Sequence, residues 1–246
     1  MSDLTRRQVL AGAATVATTA ALSAGAFAET FQATASQSAP ATLAKELILP
    51  VPTQLDAKVY TTARVGISKA THDAHLRLFA SYATQTNNIR TALLDLRNTT
   101  AAPNQIFSQM RALKVNYAFA YGGYLNHLVY FETIGGQGGK PQGLVLQEIE
   151  KAFGSWENFL ADFRATALSA RGWVFVARDR LSGHLFTYIG DAQDTYPMWE
   201  NDLILACDVY EHAFWTDFPG SRAAYLDAYL KVIDWAAVEK RLRAAL

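Results

Sequence analysis

The stretch Leu203-Ile204-Leu205-Ala206-Cys207-Asp208-Val209-Tyr210-Glu211-His212-Ala213-Phe214-Trp215 sets how the whole chain is read. An apolar run compatible with a strand leads into Asp208, and His212 follows four residues later. If the segment between them is helical or tightly turned, the carboxylate and the imidazole face one point, as ligand pairs at that spacing do. Spacing alone leaves a surface ion pair or a helix cap as the alternative. The neighbours favour a cation, because a carboxylate and an imidazole in so apolar a setting need compensation and a metal ion supplies it most economically. Cys207 is the only cysteine. No intramolecular disulfide is available, and Cys207 reads as a small buried hydrophobe.

Working outward, Trp173-Val174-Phe175-Val176-Ala177 and His184-Leu185-Phe186-Thr187-Tyr188-Ile189 are β-prone runs separated by Arg178 to Gly183, which predicts a hairpin. Leu144 to Phe153 and Ser155 to Leu168 read as helices, the second with Ser155 as N-cap. Ser221 to Leu230 and Trp235 to Leu246 return to helical spacing. The earlier half carries only helical patterns. One opens at Ser68, with Ala74, Leu78, Phe79, Tyr82, Ile89, Leu93 and Leu94 recurring mostly at three and four residues, as one long helix or two. Another runs from about Pro103 through Tyr130 and is dense in aromatic residues at Tyr117, Phe119, Tyr121, Tyr124, Tyr130 and Phe131. The run Gly135 to Pro141 stops it and marks a hinge or domain boundary. The fold class expected is α+β: a long N-terminal α-hairpin domain over residues 49–136, then an α/β domain over 137–246 with a small antiparallel sheet flanked by helices.

The first 28 residues read as a targeting segment. Thr5-Arg6-Arg7-Gln8-Val9-Leu10 resembles a twin-arginine signal, an Ala/Thr/Val-rich stretch follows, and Ala26-Phe27-Ala28 offers a cleavage point. The alternatives are an ordinary secretory signal or an anchor, and weak hydrophobicity disfavours the anchor. Export to a bacterial periplasm, without stable membrane association, is the expectation. Residues 29–48 read as a flexible leader. The 22 basic and 22 acidic residues balance. Removing the signal takes Asp3, Arg6 and Arg7 with it and leaves about −1, so no basic field would hold nucleic acid.

Of the five histidines, His127 lies in Tyr124-Leu125-Asn126-His127-Leu128-Val129-Tyr130, and His75 shares a helix face with Leu78, Phe79 and Tyr82. Each alone is more often a satisfied core histidine. With Asp208 and His212 they make a plausible site of three imidazoles and one carboxylate for iron, manganese or zinc. Here the chain resembles a known family. Asp208-Val209-Tyr210-Glu211-His212-Ala213 looks like the signature of the iron/manganese superoxide dismutases, which usually have tryptophan in place of Tyr210. The likeness extends through Ile67-Ser68 leading to His75, Asn126-His127, Gly154 to Phe159, Gly172-Trp173 and Val232-Ile233-Asp234-Trp235, in the family's order.

The resemblance implies one ion per chain held by His75, His127, Asp208 and His212 between two domains, with superoxide as substrate. Zinc is then unsuitable, because it has no redox couple. A glutamine amide orients metal-bound solvent in the family. Here Gly122-Gly123 before His127 and Gln193 in the later domain resemble the manganese arrangement, so manganese is preferred and iron is the alternative. Glu211 resembles an intersubunit contact to His212 of a partner chain and implies a homodimer. The likeness fails at the gate for substrate and protons. Phe79 and Ala83 stand where the family has histidine and tyrosine, and Trp215 replaces another tyrosine. Tyr82 lies one residue early, and could serve as the proton-path residue if the helix has lost a one-residue bulge. His72 reads as surface, and His184 matches no site of the family.

Overall fold

The computed structural model describes residues 48–95, 104–194 and 199–246. The expected signal segment, and all of the leader except Ile48, lie outside the described residues. Helix α1 (Lys69–Leu94) begins where Ser68 turns its hydroxyl back to accept the Thr71 N–H at 3.2 Å. It is one helix of 26 residues. Its buried positions Thr71, His72, His75, Phe79, Ala83 and Thr86 recur at helical spacing and form the inner face. Helix α2 (Gln109–Glu132) is capped in the same way by Ser108 and returns antiparallel to α1. It buries Gly123, Tyr124, Asn126, His127, Tyr130 and Phe131.

The segment after Pro50 and Pro52 is more regular than its composition suggests. It forms a 3₁₀ helix at Ala57–Val65, capped by Asp56 and ended by Gly66 at φ 93°. It packs on α1, and it covers His72, which the sequence reading left at the surface; that histidine is fully buried. Its Nε2 lies 2.7 Å from Thr62 Oγ1, and Tyr60 and Phe131 meet its ring edge-on. Burial pushes its pKa down to about 4.

After α2 the glycine-rich run is stitched to the end of the chain. Gly135 and Gly136 N–H groups donate to Val232 O, and Gly138 N–H donates to Ile233 O. A Cβ on Gly136 or Gly138 would collide with backbone of residues 230–234. Glycine is therefore required here for close approach. Helices α3 (Gly143–Phe153) and α4 (Trp156–Ser169, capped by Ser155) lead into a three-stranded antiparallel sheet. Its strands are β1 (Trp173–Asp179), β2 (Leu185–Gly190) and β3 (Asn201–Asp208), with β1 in the centre. Strand β3 is followed by the single turn α5 (Glu211–Phe214), then α6 (Arg222–Tyr229) and α7 (Trp235–Ala244). Helix α4 packs on β1 and β2, while α2 and α7 pack on β3. The fold is α+β, and the packing of α2 on β3 brings hairpin side chains to the end of the sheet.

Candidate metal centre

Strand β3 delivers Asp208 at its last residue, opposite Trp173 in the central strand, so both side chains are fully buried. Asp208 then shapes the turn that follows. Its Oδ1 accepts the Tyr210 N–H at 2.9 Å, and the Val209 N–H donates to Gly172 O at 2.8 Å. The chain thereby turns into α5 and brings His212 back, with its Nε2 3.0 Å from Asp208 Oδ2. Tyr210 stacks on the His212 ring at 5.4 Å and donates its hydroxyl to Asp191 O. A Cβ on Gly172 would lie 2.5 Å from the Tyr210 ring, so that ring lies flat only because residue 172 is glycine.

The hairpin supplies the other two groups. His75 Nε2 lies 3.1 Å and His127 Nε2 3.7 Å from the same Asp208 Oδ2. One potential ligand atom from each of His75, His127, Asp208 and His212 falls within 4.8 Å of all the others. The first three are buried, whereas the His212 side chain is 34% exposed. His127 Nδ1 donates to Gly123 O at 2.6 Å, which fixes the tautomer and aims the Nε2 lone pair inward. That buried Nε2 has no hydrogen-bond partner in the protein. A buried acceptor without a donor is costly, and a metal ion at this point would satisfy it.

Electrostatics prepare the same outcome. Burial, with His75 nearby, pushes the His127 pKa down to about 3, and burial also lowers that of His75. Both imidazoles are therefore neutral and able to bind a metal at neutral pH. Burial opposes ionisation of Asp208, but His212 and His75 outweigh it and hold the carboxyl below the usual carboxylate range. Burial also lowers His212, but Asp208 outweighs that effect and raises it. One buried negative charge thus faces three imidazoles, a donor set suited to a divalent or trivalent first-row transition metal.

Gln193 and Tyr82 lie beside this group. Gln193 is 5% exposed, and its Oε1 accepts from Trp173 Nε1 at 3.2 Å and Asn126 Nδ2 at 3.4 Å. With the amide oxygen held, the amide NH₂ is the end left to donate. The Tyr82 ring lies 5.2 Å from that of His127. Helix α1 is uninterrupted, and seven residues make nearly two full turns, so Tyr82 shares the face of His75. Burial and the Asp208 charge push the Tyr82 phenol up to about 12, against a hydrogen bond from Gln193 that lowers it. Gly122 and Gly123 make room for both. A Cβ on Gly123 would lie 2.6 Å from the Tyr82 ring, and one on Gly122 would strike Gln193 O.

Phe79 stacks on His127 at 5.9 Å and is buried, and Trp215 is half exposed. Glu211 is exposed, and His184 lies away from the centre beside Asp179, Phe186 and Trp199. Sequence reasoning did not single out Asn126 and Trp173 as the clamp on Gln193. Asn126 is adjacent to His127 in the chain, and that adjacency was the available signal.

Fold and site define a protein with, among the described residues, one candidate metal centre between a helical hairpin and the end of a small antiparallel sheet. The model of the iron/manganese superoxide dismutase C-terminal domain matches residues 141–241. An iron superoxide dismutase of Aquifex aeolicus is 30% identical over 184 residues, covering 74% of this chain and 86% of its own. A manganese superoxide dismutase of Mycobacterium avium is 34% identical over 168 residues, covering 67% of this chain and 80% of its own. The chain belongs to the iron/manganese superoxide dismutase family.

Proposed function

We propose that this protein converts superoxide to oxygen and hydrogen peroxide at one manganese or iron ion held by His75, His127, Asp208 and His212. The convergence of those four side chains, with the partnerless His127 Nε2 aimed among them, carries the reading. When bound, the metal supplies the one-electron couple that dismutation requires. The chain's own residues do the rest. Asp208 offsets the metal's charge, Trp173 and Asn126 orient Gln193, and the Gln193 amide positions solvent at the centre. Tyr82 holds a proton within reach of that amide and stands in for the family's gate tyrosine. Manganese is the preferred ion, because Gly122-Gly123 and Gln193 supply the glutamine from the later domain.

Two copies are expected to pair through Glu211 and His212, a reading supported by the exposure of Glu211, His212 and Trp215 on one short segment. The arginine pair at the N-terminus supports export to the periplasm, and among the described residues no helix is long and apolar enough to cross a membrane.

Elemental analysis and a superoxide assay on purified protein test the reading. Close to one manganese or iron per chain is expected, with His75→Ala losing both metal and activity. Tyr82→Phe should keep the metal and slow turnover. Metal-loaded protein without dismutation would leave the site and remove the activity. A second reading, a metal-binding protein with weak or no dismutase activity, draws on Phe79, Ala83 and Trp215. It predicts that Phe79→His with Trp215→Tyr raises the rate, and an unchanged rate argues against it.

A further inference from the structure

The dense aromatic residues of α2 have a role that the metal centre leaves open. Beginning at His127, the rings form a continuous line to the outer end of the hairpin. Phe79 lies parallel to the His127 imidazole at 5.9 Å, Tyr124 follows at 5.3 Å, Tyr121 at 6.5 Å and Tyr117 at 5.5 Å. The Tyr121 ring is within 9° of parallel to Tyr124 and 24° of parallel to Tyr117. Burial falls along the line, from Phe79 and Tyr124 in the core to the partly exposed Tyr121 and Tyr117. The Arg90 guanidinium lies over the faces of Tyr117 and Tyr121, and donates to the Tyr117 hydroxyl at 3.0 Å.

Packing alone would be served as well by phenylalanine at these positions, because each phenol brings an oxygen that must be hydrated or hydrogen-bonded. Tyrosine differs from phenylalanine in that it readily gives up an electron together with its proton. We propose that Tyr124, Tyr121 and Tyr117 form a relay that carries oxidising equivalents from the metal centre to the surface, so that one hydrogen peroxide is reduced at the expense of two tyrosines of the chain. The proposal rests on the dismutase reading to the extent that dismutation generates hydrogen peroxide at the inner end of the relay.

In the balanced step, hydrogen peroxide takes two electrons and two protons, its O–O bond breaks, and two waters leave. Two tyrosines each lose one electron and one proton and become neutral phenoxyl radicals. The outer end is where an oxidised ring comes to rest. Water reaches Tyr117 to accept its proton, and Arg90 holds the oxygen that remains. The guanidinium also disfavours a cationic ring beneath it, which drives the proton off. Tyr124 is buried, so water does not reach it as it reaches Tyr117, and an oxidised ring there passes the charge outward while Tyr121 is in place.

The test treats iron-loaded protein with hydrogen peroxide in the presence of the spin trap 2-methyl-2-nitrosopropane and maps adducts by mass spectrometry. Adduct at Tyr117 is expected in the loaded protein and absent in metal-free protein. Tyr121→Phe, with metal content verified, should lose most of the Tyr117 adduct and move oxidation inward to Tyr124 or Trp173. Tyr124→Phe should give the same loss at Tyr117. The relay is overturned if Tyr117 is labelled equally in metal-free protein, if Tyr121→Phe leaves its labelling unchanged, or if wild-type adducts stay confined to Tyr82 and Trp173. Because peroxide is added directly, labelling at Tyr117 in a protein that fails to dismutate superoxide would keep the relay and remove the dismutase reading.

Discussion

The two walls of the candidate metal centre are built on different principles. The sheet wall fixes Asp208 and His212 by hydrogen bonds: Asp208 Oδ1 accepts from Tyr210 N–H, Val209 N–H reaches Gly172 O, and Tyr210 is tied to Asp191 O. The helical wall holds His75 and His127 mostly by ring packing, with Phe79, Tyr82, Tyr130 and Phe131 around them, one hydrogen bond within the wall from His127 to Gly123 O, and one across to Asp208 from His75. Hydrogen bonds specify direction, so a change in the sheet wall moves a ligand. Apolar packing specifies volume, and it tolerates exchange as long as space is conserved. Of the differences that the sequence reading expects, Phe79, Ala83 and Tyr82 fall on the helical wall, and Tyr210 and Trp215 flank the short helix that follows the sheet.

That contrast can be broken most severely at Asp208. Asp208→Asn keeps an oxygen for the Tyr210 N–H but removes the charge, and metal affinity should fall by at least about 100-fold, read by competition with a chelator. Retained affinity would mean that the sheet wall matters only for shape. On the helical wall, Gly123→Ala is a matter of volume. Its Cβ would press on the Tyr82 ring, and destabilisation of about 1–3 kcal/mol is expected in a denaturant titration, offset in part by alanine's helix propensity. Tyr82→Ala in the same chain should relieve most of it.

The smallest effect lies outside both walls, where the 3₁₀ helix is tied to the start of α7 by Lys58 and Asp234, 2.7 Å apart. Burial opposes ionisation of Asp234, but Lys58 and the Ala237 N–H hold its carboxyl below the ordinary value of 3.8. A depressed folded pKa stabilises above the ordinary value, and that contribution is lost as pH falls through the folded one. Asp234→Asn should therefore cost about 0.2–1 kcal/mol at pH 7 and less as the pH drops below about 4, measured as the shift in urea midpoint.

Much of this was legible in the sequence. Ser68 and Ser155 mark helix starts that the structure keeps, and the runs at Trp173, His184 and Leu203 are strands or lead into them, because caps and β-branched runs act locally. The four side chains brought together were each visible as a polar residue in an apolar setting. His72 was misjudged because the segment that buries it, Ala57–Val65, is a 3₁₀ helix with a repeat of three and little hydrophobic pattern. The clamp on Gln193 joins residues 67 and 20 positions away, a relation that only the folded chain expresses. Because α1 is unbroken, Tyr82, seven residues from His75, lies on the same helix face, a relation that the sequence could give only on the condition of a regular helix.

The exposure of His212 governs how long an ion would stay. A metal departs ligand by ligand, and each step is easiest where water can occupy the position being given up. His75, His127 and Asp208 are sealed from solvent, whereas the His212 side chain is 34% exposed and sits on a helix of only four residues. Residence time would therefore be set at the shortest α-helix among the described residues, and anything that covers this one turn would slow metal loss without touching His75, His127 or Asp208.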